Sequence, residues 1–223
     1  MSNEYKVLKD HGVQYVKDLR SQPVSPVFRG KPSIAANLSQ DDIGLVYTLC
    51  PSGAINRNNG SIDLGRCVFC NECAFALPGK IKFENDYRIA VNRREDLVIR
   101  PGQQGPVRLD ESLVRKEVRR LFRKALKLRQ VSAGGDNSCE MELNAAGNVN
   151  FDMGRYGIEF VASPRHADGI VITGPVTENM AEALDICYKA VPSPKIIILT
   201  GTDAISGGIM SESKALNRWF IND

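Results

Sequence analysis

The chain has 223 residues, of which 43% are hydrophobic and 25% charged, and its formal net charge is +3. This composition is typical of a soluble cytoplasmic protein with room for one large or two small domains. No apolar run reaches the roughly 20 residues that a membrane-spanning helix needs, and residues 1–6 lack the apolar core of a signal peptide. The small net charge gives no reason by itself to expect a nucleic-acid partner.

Residues 1–36 are predicted to form an N-terminal extension. A short helix is expected around residues 13–19. Closely spaced prolines between Pro23 and Pro32 then exclude helix and favour an extended backbone. We expect this extended part to lie as a strap against the next unit or against a partner.

Cysteines mark the next unit, residues 37–100. Cys67, Cys70 and Cys73 have the C-x2-C-x2-C spacing of bacterial ferredoxins, and Cys50 is followed by Pro51. In two-cluster ferredoxins the cysteine of the Cys-Pro pair binds the cluster whose other three ligands come from the opposite run. The sequence therefore predicts one [4Fe–4S] cluster held by Cys50, Cys67, Cys70 and Cys73.

The ligands of the companion cluster are absent as a set. Its four expected positions hold Gln40, Ile43, Val46 and Leu77. The segment at 50–55 returns in altered form at 77–81, as expected for a duplicated ferredoxin unit. The alternative is a zinc site, but zinc sites usually bring cysteines as two separated pairs rather than as one plus three.

The end of the first half, and the cysteines outside the four-cysteine set, can also be interpreted. A hairpin is expected with strands at 80–83 and 88–91, and Pro and Gly indicate a linker at 101–109. Cysteines in a reducing compartment favour metal ligation over disulfides. Cys187 is interpreted as a small hydrophobic residue on a helix.

A helix is predicted from Asp110 to Leu128, because apolar residues recur at helical spacing along it. Its other face is basic, with Glu117 as the main acid. Three uses stay open: a solvated face, contact with an acidic partner or lipid headgroups, and phosphate binding. Since no aromatic residues alternate with the cations, base stacking on nucleic acid is not expected.

From residue 156 onward the pattern is that of an α/β domain. Apolar strands are predicted at 157–161, 169–173 and 195–199, with an amphipathic helix at 178–190. Nearly continuous Val and Ile runs indicate a parallel sheet covered on both faces. Ligands of such sheets bind beyond the carboxyl ends of the strands.

Several short motifs in one order give the second half a family resemblance. They are Arg119-Arg120-Leu121-Phe122, Glu140-Met141-Glu142-Leu143-Asn144, Ala162-Ser163-Pro164-Arg165-His166-Ala167-Asp168, Thr173-Gly174-Pro175-Val176-Thr177, Asn179-Met180 and Ser206-Gly207-Gly208-Ile209. They resemble the small subunit of membrane-bound, formate-hydrogenlyase-type [NiFe] hydrogenases and the homologous cluster-bearing subunit of respiratory complex I. Residues 28–32 resemble the polyferredoxin subunit of the same complexes.

The resemblance implies a fusion of two adjacent subunits. An α+β ferredoxin-like domain at 37–100 would be followed by an α/β flavodoxin-like domain at 110–223, truncated at its C-terminus relative to the family. That family domain holds a further [4Fe–4S] cluster through a C-x2-C pair, a cysteine after the third strand and a C-terminal Cys-Pro motif. Here these positions give Asp136, Cys139 and Asp203, and no Cys-Pro motif follows.

This second site is therefore degenerate, and we expect it to be empty, since one thiolate and two carboxylates offer too little soft sulfur. A mixed oxygen and sulfur site for another metal is the alternative. Arg165 and His166 could tune a potential or move protons by resemblance, or could anchor a loop through hydrogen bonds.

These observations predict a non-catalytic electron-transfer subunit of a hydrogenase-like or complex-I-like oxidoreductase. Its partners would be a hydrogenase-like large subunit and other subunits of a membrane-associated complex, with a ferredoxin-type carrier as a further option and no nucleic acid. Attachment to the inner face of the membrane through that complex stays open. The alternative is a scaffold or regulatory subunit whose α/β domain only docks a partner, and nucleic-acid binding through the basic helix is a third, weaker hypothesis.

Overall fold

The computed structural model describes residues 3–12 and 14–222. The first half is built from short helices and strands. In chain order these are α1 (Asn3–His11), β1 (Pro32–Ile34), α2 (Gln40–Leu49), β2 (Ile62–Asp63), α3 (Glu72–Ala76), β3 (Ile81–Phe83) and β4 (Val98–Ile99). β1 pairs antiparallel with β3, and β2 pairs antiparallel with β4. Ile62, Ile99 and Val46 lie in the hydrophobic core that these elements share.

Two expectations for the first half were wrong. Residues 14–19 contain no helix, whereas residues 3–11 do, and Val13 lies outside the described residues. The hairpin between 80–83 and 88–91 is also absent, because β3 pairs with β1. The backbone N–H groups of Gly30 and Lys31 donate to the carbonyls of Glu84 and Asp86, so the chain after β3 continues beside the strap instead of folding back. Of the two places expected for the strap, the structure has the one against the cysteine-bearing unit.

The second half is an α/β unit. Its elements are α4 (Lys116–Phe122), β5 (Leu126–Ser132), α5 (Ser138–Ala146), β6 (Ile158–Phe160), β7 (Gly169–Thr173), α6 (Glu178–Ala190), β8 (Ile196–Thr200), α7 (Thr202–Ser206) and α8 (Trp219–Asn222). The sheet order is β6-β5-β7-β8 and every pairing is parallel. All five residues of β7 are buried. This order matches the start of a flavodoxin-like sheet, so the α/β expectation is confirmed.

The helix predicted from Asp110 to Leu128 was too long. A 3-10 turn at Glu111–Leu113 precedes α4, which ends at Phe122, and Arg123 has a positive φ of 36°. The following residues form β5, which bonds to β6 on one side and β7 on the other. Alternating apolar and basic residues fit a strand as well as a helix here, and pairing along both edges decides in favour of the strand.

The two halves contact each other at defined points. The side chain of Ile205, on α7, packs against the hydrophobic core of the first half. A Cβ atom on Gly65 would lie only 2.8 Å from Cγ2 of Ile205, so the loop before Cys67 approaches α7 closely. The backbone N–H of Val16 also donates to the carbonyl of Asn150 over 2.8 Å.

Within residues 3–12 and 14–222, every helix is too short or too polar to cross a lipid bilayer.

Candidate metal centre

The structure brings the four cysteines of the first half together around one small cavity. Cys50 is the C-cap residue of α2, whereas Cys73 lies within the five-residue helix α3. Cys67 and Cys70 come from the loop that joins β2 to α3. Ile55, Ile62, Val68 and Phe83 also line the cavity. Cys50 therefore shares an enclosed, largely apolar cavity with three cysteines that follow later in the sequence.

Backbone N–H groups point at two of the sulfur atoms. The N–H of Ala54 donates to Sγ of Cys50 over 3.3 Å, and the N–H of Phe69 donates to Sγ of Cys67 over 3.4 Å. Phe69 and Asn71 both have positive φ angles, of 54° and 75°. Such angles cost a non-glycine residue about 1–2 kcal/mol each, and strain of this kind concentrates at functional sites.

Burial controls the acidity of the deepest thiols. Burial raises the pKa of Cys67 to about 12 and that of Cys73 to about 11, and neighbouring cysteines add to both shifts. Without a metal these two thiols hold their protons at neutral pH. Metal binding would have to displace these protons, as it does whenever a thiol becomes a metal ligand.

The donor set of this cavity is four thiols. Among the described residues, no group of three or more His, Cys, Asp or Glu side chains is placed to hold a single metal ion. A zinc site needs its sulfur atoms about 2.3 Å from one ion, whereas in a [4Fe–4S] cluster the four thiolates are bound by four different iron atoms around a shared space. The four cysteines line one such space, together with apolar walls and two N–H donors.

Three of the four positions that lack companion ligands are filled by buried hydrophobic side chains, whereas the fourth, Gln40, is exposed. Ile43, Val46 and Leu77 are 4%, 0% and 8% exposed. Leu77 is the C-cap residue of α3, just as Cys50 is the C-cap residue of α2. The internal repeat seen in the sequence thus has a structural counterpart at the helix ends.

Aromatic residues cover the cavity only in part. Phe69 packs edge-to-face on Phe83, with ring centroids 5.9 Å apart. Phe75, two residues after Cys73, is 70% exposed. The guanidinium of Arg29, from the strap, donates to the carbonyl of Cys70 over 3.0 Å. The strap therefore fixes the loop that carries the middle cysteine of the run.

The second predicted group, Asp136, Cys139 and Asp203, lies at the carboxyl ends of β5 and β8. Sγ of Cys139 contacts the backbone of Gly201 so closely that a Cβ there would lie 2.4 Å from it. Burial raises the pKa of Asp203, with Asp136 adding to the shift and Arg218 opposing it. Hydrogen bonds from Ser138 hold the pKa of Asp136 below its usual value. The three side chains thus share one electrostatic environment.

The sequence analysis did not predict the contacts of two residues in this region, Glu140 and Arg218. Glu140 is buried. Its Oε1 accepts hydrogen bonds from Ser132 Oγ over 2.6 Å and from Thr173 Oγ1 over 2.5 Å. Although burial opposes ionisation, these hydrogen bonds hold the pKa of Glu140 below its ordinary value. The available signals were its place directly after Cys139 and its position at the start of the Glu140–Asn144 motif, and neither indicated these hydrogen bonds.

Arg218 is the second of these residues. Its guanidinium donates to the carbonyls of Pro175, Asp203 and Ala204 at 2.8–3.1 Å. It thereby ties the C-terminal segment to the loops that follow β7 and β8. No motif in the sequence indicated this contact, because backbone carbonyls leave no trace in the residue types.

Arg165 and His166 do not support the loop-anchoring interpretation. Both are exposed on the 3-10 turn Pro164–His166. Neither side chain takes part in a hydrogen bond or ion pair within residues 3–12 and 14–222. The other alternative, tuning a potential or moving protons, stays a prediction.

Residues 137–219 match the model of the family described as NADH ubiquinone oxidoreductase, 20 Kd subunit. The matched region, which spans α5, the carboxyl ends of β7 and β8, and Arg218, is similar to that family. The recognition from the sequence motifs is thereby confirmed. The matched region starts after Asp136 and contains Cys139 and Asp203.

Individual relatives of the 20 Kd subunit family extend the comparison. The probable membrane-bound hydrogenase subunit mbhJ of Pyrococcus furiosus is 39% identical over 39% of this chain and 52% of its own length. Formate hydrogenlyase subunit 7 of Escherichia coli is 36% identical over 48% of this chain and 43% of its own length. A subunit of the NADH-quinone oxidoreductase of Geotalea daltonii is 44% identical over 32% of this chain and 42% of its own length. The chain thus spans about half the length of the curated relatives it matches.

Proposed function

We propose that this chain is an electron-transfer subunit of a hydrogenase-like or complex-I-like multisubunit oxidoreductase. It carries one [4Fe–4S] cluster, bound by Cys50, Cys67, Cys70 and Cys73, and has no cluster at Asp136, Cys139 and Asp203. The observation that carries this proposal is the enclosure of the four cysteines around one cavity. The relatives, whose names denote subunits of a hydrogenase, formate hydrogenlyase and NADH-quinone oxidoreductase, support the class of complex.

When bound, a [4Fe–4S] cluster supplies one-electron transfer at a potential set by its surroundings. The residues of this chain would hold and tune it. The N–H groups of Ala54 and Phe69 donate to ligand sulfur atoms, which favours the more negative, reduced state. Ile55, Ile62 and Phe83 exclude water from the cavity. No residue in this arrangement is assigned to bond-making chemistry.

The natural partners of such a subunit are the large subunit of the complex and its neighbouring subunits. A ferredoxin-type carrier is a further candidate. The exposed loop at Pro164–His166 and the ends of β7 and β8 are the surfaces we assign to docking, since the family match covers them. Peripheral association with a membrane would follow from membership of such a complex.

A scaffold or regulatory subunit is the second candidate function, and one observation favours it. The group at Asp136, Cys139 and Asp203 contains one sulfur atom and two carboxylates, a poor ligand set for iron and sulfide. Electrons leaving the first cluster would then lack a second cluster within the chain. Under this hypothesis the α/β half provides a docking surface only.

Anaerobic purification followed by iron and sulfide analysis and EPR after dithionite reduction tests the proposal. We expect four irons per chain and a single [4Fe–4S]+ signal. A Cys70→Ser variant should lose the signal and electron transfer while the complex still assembles. Zinc in place of iron would refute the cluster, and unchanged electron transfer in Cys70→Ser would favour the scaffold function.

A further inference from the structure

Positive charge is concentrated in the segment that links the two halves. Between residues 108 and 127 the chain has eight Lys or Arg residues and three Asp or Glu residues, a formal charge of +5, whereas the whole chain carries +3. The rest of the protein is therefore slightly acidic. Uniformly solvated surfaces do not require such segregation, and a local excess of this size creates a field that attracts anions.

Helix α4 presents this charge to solvent. None of its seven residues is buried. At 100° per residue, Lys116, Arg119 and Arg120 fall within an arc of about 100°. Val118 and Phe122, the half-buried residues, lie on the opposite side. The helix thus rests on the protein by its apolar side and turns its cations outward.

Most of these cations are not neutralised within the protein. Arg119 approaches Glu111 at 3.7 Å, and Lys127 approaches Glu159 at 3.2 Å. Lys116, Arg120 and Lys124 form no ion pair with any residue of the described ranges, 3–12 and 14–222. We call the exposed basic residues of 108–127 the basic patch.

Leucines accompany the basic patch. Leu109, Leu113 and Leu121 are 45%, 45% and 55% exposed, respectively. Exposed leucines beside Lys and Arg are characteristic of surfaces that lie in the headgroup region of a bilayer, where apolar side chains reach the acyl boundary. Base stacking would require exposed aromatic rings instead, and Phe122 faces inward.

We propose that the basic patch binds directly to an anionic lipid surface, with Leu113 and Leu121 entering the headgroup layer. The cations would contact lipid phosphates, and α4 would lie in the plane of the membrane. This contact is independent of any cluster and of partner subunits. Its failure would leave the proposed electron-transfer function standing, and the reverse also holds.

Flotation of the full chain with lipid vesicles tests this inference. We expect binding to phosphatidylcholine vesicles that contain about one third phosphatidylglycerol, weak binding to pure phosphatidylcholine, and a steep loss between about 0.05 M and about 0.5 M salt. A triple variant, Lys116→Glu, Arg120→Glu and Lys124→Glu, should bind more than about 100-fold more weakly. Glutamate preserves helix propensity, so α4 should persist in circular dichroism spectra.

A matched control reverses three exposed lysines elsewhere, Lys9, Lys17 and Lys214, with the same change in net charge. It should lose no more than about tenfold. A double variant, Leu113→Ser and Leu121→Ser, should weaken vesicle binding without affecting binding to polyglutamate.

Three results would overturn the inference. The first is equal binding of the wild-type chain to neutral and anionic vesicles, and the second is equal binding of the triple variant and its control to anionic vesicles. The third is tighter binding to polyglutamate or to an RNA oligonucleotide than to anionic vesicles, with no effect of the leucine substitutions. That outcome would assign the patch to an acidic protein or a nucleic acid.

Discussion

The two halves of the chain each contain positions where sulfur ligands would be expected and other residues stand, and the replacements differ. In the first half, Ile43, Val46 and Leu77 are buried in the hydrophobic core. In the second half, Asp136 and Asp203 stand beside a remaining cysteine. Three of the four positions in the first half thus hold buried apolar side chains, Gln40 being the exposed exception, whereas the positions in the second half are still polar.

The difference follows from where the positions lie. Ile43 and Val46 are on a helix packed against the core, where an apolar side chain gains about 25 cal/mol for each Å² removed from water. Asp136 lies in the loop after β5 and accepts hydrogen bonds from Ser138, whereas Asp203 lies in the first turn of α7 after β8. The partly buried Asp203 has a raised pKa, which means that its ionised form is disfavoured there. Packing thus stabilises the apolar replacements of the first half, while Asp203 in the second half carries an electrostatic cost.

The largest expected effect separates the retained cysteines from the isolated one. Replacing Cys67 by Ser should remove the iron of the purified protein, because its buried sulfur is one of the four proposed ligands. Replacing Cys139 by Ser should leave the iron content unchanged. Iron and sulfide analysis of both variants is the measurement. Loss of iron in the Cys139 variant would contradict the proposed difference between the two halves, since it would show that the second site also binds metal.

The contribution of the buried apolar replacements to the free energy of unfolding should also be measurable. Replacing Leu77 by Ala should lower the free energy of unfolding by about 2–5 kcal/mol, because a buried leucine leaves a cavity. Leu45→Ala on α2 is the control, since Leu45 is 46% exposed. Urea denaturation monitored by circular dichroism gives both values. Equal effects for the two leucines would mean that position 77 is not part of a packed core.

Glu140 tests whether the polar region of the second half is structural. Glu140→Ala would leave the hydroxyls of Ser132 and Thr173 without their acceptor, at a cost of about 1–3 kcal/mol. Glu140→Gln keeps an acceptor oxygen and should lose less. Glu142→Ala, at an exposed position of the same helix, should have little effect. The measurement is the unfolding midpoint of each of the three variants. Equal midpoints for Glu140→Ala and Glu142→Ala would contradict a structural role of the Glu140 hydrogen bonds.

The sequence predicted the second half better than the first. Its strands β6, β7 and β8 and helix α6 were expected because long apolar runs and a clear amphipathic period leave few alternatives. β5 was missed, since Ala125 and Leu128 satisfy a helical period as well as a strand period. The choice depends on hydrogen bonding to β6 and β7, which are distant in the sequence.

The candidate site divides in the same way. Cysteine spacing led to the prediction that Cys50, Cys67, Cys70 and Cys73 act together, because ferredoxin ligands follow a fixed numerical pattern; the four residues line one cavity, and their role as cluster ligands stays a prediction. The hydrogen bonds of Glu140 and Arg218 could not be predicted, since they depend on backbone carbonyls and hydroxyls that the fold brings together. The pairing of β1 with β3 was likewise beyond local reasoning, because the strap reaches β3 from about fifty residues away.

The smallest expected effect concerns the start of α2, the helix that carries the buried positions Ile43 and Val46. Lys80 donates to Asp42 over 2.6 Å, and Ser39 forms a capping box with the same residue, so the pKa of Asp42 is lowered to about 2. A carboxyl whose pKa is lower in the folded state stabilises the protein above its unfolded pKa of about 3.9. That stabilisation declines as the pH falls from about 4 toward about 2.

Asp42→Asn should therefore reduce stability at pH 7 and make progressively less difference below about pH 4. Urea unfolding of the wild-type and variant chains at both pH values gives the comparison. Asp41→Asn is the matched control, because Asp41 is an exposed carboxylate one residue earlier on the same helix. A difference between wild type and Asp42→Asn that stayed constant with pH would show that the capping geometry stabilises α2 without the charge. Helix capping and packing alone would then hold Ile43 and Val46 in the core.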